Sequence, residues 1–200
     1  EQVFSRFLPN SELSKLNTLG TLTVSSQFIE VLKTAINLSR QTGGSFNPLI
    51  QVAKAGYKDD FTKLKDAVQE KHSEKYNLDL SAIKIDDTTN LVSLDIDQQL
   101  DFGGILKGYL ADKLANEIIA SKKGCTGVVV NIGGDLHTEG YDADGKLFTF
   151  NLFNPVTESE FELPLLNTSL VTSGIYKRQW QTKTGPQHHI LSADGINNPA

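Results

Sequence analysis

DFGGILKGYLAD, residues 101–112, decides how the rest of the chain is read. Two adjacent glycines let a backbone pass close to another group. The residues behind them change from alternating to helical periodicity, so the segment predicts a strand end turning into a helix start. A helix over residues 109–120 follows, with Leu110, Leu114, Ile118 and Ile119 on one face and Asp112, Lys113, Asn116 and Glu117 elsewhere. Lys107 falls in or just before its first turn, where free N–H groups and the positive end of the helix dipole favour an anion. A cation there opposes the dipole and calls for a negative partner. The alternative is an ordinary strand-turn-helix with a solvated lysine.

Upstream, Asn10 or Ser11 can cap a short helix through Leu13, Leu16 and Asn17, with Phe4 and Phe7 on the extended segment before Pro9. Ser25 or Ser26 starts a stronger helix. Phe28, Val31, Leu32, Ala35, Ile36 and Leu38 keep helical spacing up to Arg40, and Thr42-Gly43-Gly44 stops it. Asn47 precedes Pro48, which bars it from helical geometry and sets its side chain beside the turn. Residues 52–57 predict a short helix and residues 61–71 a charged surface helix, with His72 as a surface residue. From Ile83 the period becomes two. Ile83 and Ile85, then Leu91 to Ile96, give two strands across a turn at residues 86–90.

Downstream, Val128 to Ile132 is a continuous apolar run suited to a buried strand. Gly133-Gly134-Asp135 breaks it where a backbone could face a ligand, Asp135 being either a functional carboxylate or a turn cap on a β-bulge. Residues 142–145 predict a hairpin turn, residues 147–153 its returning strand and residues 156–166 another hairpin arm. Tyr176, Arg178 and Trp180 alternate along a further strand. His188 and His189 are adjacent on an extended segment and point to opposite faces, which makes them poor joint metal ligands.

These elements predict an α+β fold, with mainly antiparallel sheets and packed helices and not a doubly wound parallel sheet, because the strands come in hairpins. The 200 residues, 38% of them hydrophobic, suit one compact body, a single domain over residues 1–200. The formal charge of −5 divides as −2 over residues 1–100 (11 Lys and Arg against 13 Asp and Glu) and −3 over residues 101–200 (8 against 11). Neither half is basic, which argues against a nucleic acid or an acidic membrane as partner. Cys125 is the single cysteine, so no intrachain disulfide forms and the compartment is left open. No run of eighteen apolar residues and no signal peptide is present. The chain starts at Glu1 and stops on Asn-Asn-Pro-Ala, and the expectation is that both ends are cut, so that a targeting or anchor segment could have been removed.

Taken in order, these motifs resemble the flavin transferase family called ApbE, the FAD:protein FMN transferases. SRFLPNSELSKLN is similar to the family's opening helix, and GGSFNPLI with AGY behind it to its Gly-x-Phe-Asp-Pro and Trp-Gly-Phe segments. DFGGILKGYLAD, VNIGGD, TSGIY and HHI follow in family order, and the match covers nearly the whole chain. The resemblance implies an ApbE-like α+β body and an enzyme that takes FAD, splits its pyrophosphate with Mg2+, and joins the FMN half by a phosphoester to a Thr or Ser of an acceptor protein, releasing AMP. It also implies a place outside the cytoplasm, periplasmic or on the cell surface, as a lipoprotein whose contact with the membrane runs through a removed N-terminal anchor. Two rival readings are an FAD-binding protein without transfer and an FAD pyrophosphatase giving FMN and AMP.

By motif position, the resemblance puts Asp101 and Lys107 on catalytic, flavin-contacting places and the Gly104 carbonyl on the metal. Ser45, Phe46 and Asn47 fall on the segment lining the nucleotide, and Phe7 on an aromatic position near the flavin. His189 and Ile190 match the start of the family's His-Ile-Ile-Asp-Pro loop, and Asp135, Ser173 and Tyr176 are further matches. A pyrophosphate suits a lysine at a helix start, since phosphoryl transfer is mostly positioning and charge stabilisation. The chain also departs from the pattern. Asn47 stands where Asp is usual, Phe7 where Tyr is common, and Ser192-Ala193 replace Asp-Pro. The family's C-terminal Ala-Asp-Ala-x-x-Thr segment would lie beyond Ala200 and its opening strand before Glu1, so the expectation is half of a metal site.

Overall fold

Two serines set the helices of the N-terminal part. In the computed structural model, which describes residues 1–55, 77–175, 179–183 and 185–194, Ser11 caps α1 (Glu12–Leu19) by accepting the Ser14 N–H at 3.0 Å, and Gly20 closes it in the left-handed region at φ 73°. Ser25 caps α2 (Ser26–Gln41) by accepting the Phe28 N–H. Glu12 joins the two helices, since its Oε2 accepts from both the backbone N–H and the hydroxyl of Ser25, at 2.8 and 3.0 Å. Between the helices runs β1 (Thr21–Thr23), a strand that its three residues are too short to announce as an alternating pattern. It pairs antiparallel with β3 (Leu91–Ser93), which pairs in turn with β2 (Lys84–Asp86), giving the order β1-β3-β2. Val92 is central, opposite Leu22 on one side and Ile85 on the other, and is fully buried.

The described residues group into two compact units, one of Glu1–Gly104 with Gly174–Ala200 and one of Ile105–Ser173. In the first, Leu13, Leu16, Phe28, Val31, Leu32, Leu49, Val92 and Leu100 are sealed from solvent with Phe102. Phe4, Phe28 and Phe102 form an aromatic triangle with centroids 5.4–5.8 Å apart, Phe102 standing edge-on to both others. Burial of a ring of that size contributes about 1.5–3 kcal/mol. A short 3-10 turn covers Val52–Ala55, within the helix that the sequence suggests over 52–57, whose last two positions lie outside the described residues. The first unit also holds the antiparallel pair β9 (Gln179–Thr182) and β10 (Gly185–His188). The helix expected over residues 61–71, together with His72, lies outside the described residues.

In the second unit, α3 (Leu106–Ser121) packs against β4 (Gly127–Ile132) and β5 (Asp135–Gly140), and β5 pairs on its other side with β8 (Thr168–Leu170). The helix starts three residues earlier than its apolar spacing suggests, and its buried positions are Ala111 and Ala115 while Leu114 stays exposed. Two alanines on one face let the helix lie close to the sheet, so shape and not hydrophobicity selects that face. Gly133 and Gly134, at φ 63° and 100°, form a two-residue hairpin loop with Asp135 opposite Ile132 in the ladder, in place of the expected bulge. The turn at residues 142–145 is present, closed by Gly145 N–H to the Asp142 carbonyl, but it does not join a hairpin. The next strand, β6 (Phe148–Asn154), pairs with β7 (Ser159–Leu165), because β5 already has partners on both edges. All described pairings are antiparallel, as the α+β reading requires.

Candidate functional site

Asp101 is the centre of the candidate residues in the first unit. It is 8% exposed, and its backbone N–H donates to the Pro48 carbonyl at 2.8 Å, which ties the SFNPLI segment to the DFGG turn across more than fifty residues of sequence. Its Oδ1 accepts the Gly103 N–H at 2.8 Å, a side-chain turn that shapes the glycine pair, and its Oδ2 lies 3.9 Å from Arg6 Nε. A methyl group on Gly104 would come within 3.2 Å of the Phe46 ring, so the glycine backbone passes directly against that ring. Asn47 uses its amide on the backbone: Oδ1 accepts the Leu49 N–H and Nδ2 donates to the Leu78 carbonyl, at 2.9 and 3.1 Å. Phe46, Asn47, Asp101 and Gly104 therefore come together, with Ser45 exposed at the rim of the same segment.

Phe7 is 53% exposed, and the Arg6 guanidinium lies over its ring at 4.5 Å from the centroid. His189 and Ile190 follow β10 and are half-buried. Tyr176 lies outside the described residues. Three neighbours of these groups escaped the sequence reading. Phe102 sits inside the motif and anchors it in the core, Arg6 precedes Phe7 and reaches Asp101, and Asn17 holds Leu100 at both ends, its amide donating to the Leu100 carbonyl at 2.8 Å and accepting the Leu100 N–H at 2.7 Å. The only sequence signal for the first two was their place beside motif residues. Nothing in helical periodicity distinguishes Asn17.

In the second unit Lys107 is the second residue of α3, and its Nζ lies 2.7 Å from Asp135 Oδ2. The Asp135 side chain is nearly buried and the lysine about two-fifths exposed. Asp135 opens β5 directly behind the Gly133-Gly134 loop, and the Lys107 stem runs 3.9 Å from the place a side chain on Gly133 would take. Asn131 Oδ1 accepts the Gly134 N–H and pins that loop. The α3 cap residue, Ile105, offers no side-chain hydrogen bond, so the first-turn N–H groups and the lysine together form a positive end. Ser173 is exposed in the segment behind β8.

The first unit brings together an aromatic ring, a close glycine backbone and a buried carboxylate, and the second presents a lysine at an uncapped helix start; each by itself is a group that suits part of a phosphate-bearing dinucleotide. They do not by themselves make a cation site. Among the described residues no group of three His, Cys, Asp or Glu side chains is arranged to hold a metal ion.

The sequence profile of the ApbE family matches residues 1–196. The chain belongs to the ApbE family. An FAD:protein FMN transferase of Klebsiella pneumoniae (strain 342) is 32% identical over 111 residues, 54% of this chain and 33% of that protein. One of Treponema pallidum (strain Nichols) is 24% identical over 213 residues, 96% of this chain and 58% of that protein. The crystal structure of the ApbE protein from Thermotoga maritima matches with a TM-score of 0.80 at 20% identity, covering 98% of this chain and 65% of that one. At that identity the likeness is one of fold. The chain spans about a third to three-fifths of the length of the ApbE relatives it matches.

Proposed function

We propose that this ApbE chain serves the transfer of FMN from FAD to a Ser or Thr of an acceptor protein. The hydroxyl gives up its proton to solvent as its oxygen attacks the FMN-side phosphorus, the bond to the AMP phosphate breaks, and AMP leaves, with Mg2+ as the family's metal. The observation that carries the reading is Lys107: within the family's own motif, it stands at an uncapped helix start and already holds a carboxylate where an FAD phosphate would compete for it. Asp101, fixed by Gly103 and facing Arg6, would receive the flavin half beside Phe7. The test is to incubate the full-length protein with FAD, Mg2+ and a candidate acceptor and to look for flavin fluorescence on a denaturing gel. Its absence, in the presence of a folded protein that binds FAD, rejects transfer.

Asn47 favours a second reading. Its neutral amide is engaged with two backbone groups at a position where the family resemblance leads one to expect a carboxylate, which suits a protein that binds FAD without transferring it. Release of FMN and AMP without a labelled acceptor would instead indicate a pyrophosphatase. We further propose, on the family resemblance, an extracytoplasmic lipoprotein. Among the described residues no helix is long and apolar enough to cross a membrane, and labelling of the full-length protein with a fatty-acid probe tests the anchor.

A further inference from the structure

We propose that Arg6 is a positioning residue of the flavin site, acting through Asp101 and Phe7. This rests on the flavin reading above and adds a residue to it. Arg6 touches two site residues at once: its Nε is 3.9 Å from Asp101 Oδ2, and its guanidinium carbon is 4.5 Å from the Phe7 ring centroid. Each contact fixes something that neither partner fixes alone. Asp101 has one oxygen committed to the Gly103 N–H, and the second would be free to turn away from the site without a cation facing it. Phe7 is more than half exposed, and a ring in that position keeps one orientation only where something lies against its face. The Arg6 side chain is itself only 19% exposed and belongs to a segment tied to α1, with Glu12 N–H donating to the Gln2 carbonyl and Leu13 N–H to the Val3 carbonyl. The guanidinium is thus delivered from a fixed base. Its planar, always-charged head can serve a carboxylate at its edge and an aromatic ring at its face together, which a lysine ammonium does less well.

The role is specific to one half of the dinucleotide. Asp101 and Phe7 are the residues assigned to the flavin, so Arg6 governs the flavin half and leaves the AMP half alone. The experiment is a titration of the full-length protein, as parent, Arg6→Ala, Arg6→Lys, Asp101→Asn and the double variant Arg6→Ala/Asp101→Asn, with FAD, FMN and AMP as separate probes, alongside thermal melts. Arg6→Ala should weaken FAD and FMN by about tenfold or more, the scale of one charge-assisted contact. AMP should be unaffected, and Arg6→Lys should recover part of the loss. The double variant should bind FAD no more weakly than Asp101→Asn alone, since residues acting as one unit are not additive. Equal weakening of FMN and AMP, or additive losses in the double variant, overturns the proposal, as does unchanged FAD affinity in Arg6→Ala. Should Arg6→Ala fail to fold, Arg6→Gln carries the same comparison. A folded parent that binds no FAD overturns the flavin reading and Arg6's part in it, whereas a parent that binds FAD while Arg6→Ala does too with full affinity overturns Arg6 only.

Discussion

Lys107 Nζ and Asp135 Oδ2 lie 2.7 Å apart, joining the first turn of α3 to the first residue of β5. An FAD phosphate would have to compete with Asp135 for this lysine. Lys107→Ala should therefore weaken FAD binding by about 1–3 kcal/mol, the worth of a charge-assisted hydrogen bond, and leave the melting temperature within a few degrees of the parent. Flavin fluorescence titration with parallel melts is the check. Unchanged affinity would make Lys107 the solvated lysine of an ordinary helix start.

Asn17 should matter to stability more than any exposed polar residue on α1. It satisfies both backbone groups of Leu100, a residue with no exposed surface. Asn17→Ala leaves two buried groups without partners, and at about 1–3 kcal/mol for each such group the loss should be about 2–6 kcal/mol. Urea denaturation measures it. A loss under half a kilocalorie would show that water replaces the amide.

Three glycines are expected to separate by position. At Gly127 a Cβ would stand 2.2 Å from the Tyr141 carbonyl oxygen, and at Gly140, φ 72°, one would stand 2.1 Å from the Thr126 carbonyl oxygen. Neither backbone can yield without opening the ladder between β4 and β5. Gly127→Ala should cost about 1–3 kcal/mol through overpacking, and Gly140→Ala more, because strain at positive φ adds to it. Gly108, inside α3 with open space around it, should gain about 0.5–1 kcal/mol as alanine from helix propensity. Comparable behaviour of all three in thermal melts would contradict the geometry.

Acid should weaken the β2 to β3 turn. The Asp86 carboxyl is held below its ordinary value of 3.8, first by the hydroxyl of Thr89 and then by the Thr88 N–H. A carboxylate with a depressed folded-state value contributes stability that is present above 3.8 and lost as pH falls through the lower folded value. Asp86→Asn should accordingly start from a lower melting temperature than the parent at neutral pH, decline less steeply below pH 3.8, and converge with the parent in acid. Parallel acid limbs in the two proteins would remove the turn from the account.

Much of the fold was legible because it depends on local chemistry. Ser11 and Ser25 cap as their sequence neighbourhoods suggest, and the turn at residues 86–90 joins two strands whose alternation is visible. What was hidden depends on partners distant in sequence. β1 is a strand because Leu91–Ser93 lies beside it, and α3 buries alanines because a sheet approaches closely there. The candidate site divides the same way. Asp101, Gly104, Lys107 and Phe46 could be named from motif order, whereas Arg6 and Asn17 become visible only when the chain has closed around Asp101 and Leu100.

The aromatic triangle of Phe4, Phe28 and Phe102 has a consequence for how the site comes into being. Its members are drawn from the two ends of a stretch of about a hundred residues, so the ring contacts that seat the DFGG turn close one of the longest loops in the first unit. Contacts of such high sequence separation are slow to form and are not rewarded until the loop has closed. A nascent chain that has made the motif but not yet docked Phe4 and Phe28 against it holds the right residues with nothing to aim them. Competence for FAD should thus appear late and all at once on refolding, and a synthetic peptide of residues 101–112 should be inert toward the dinucleotide.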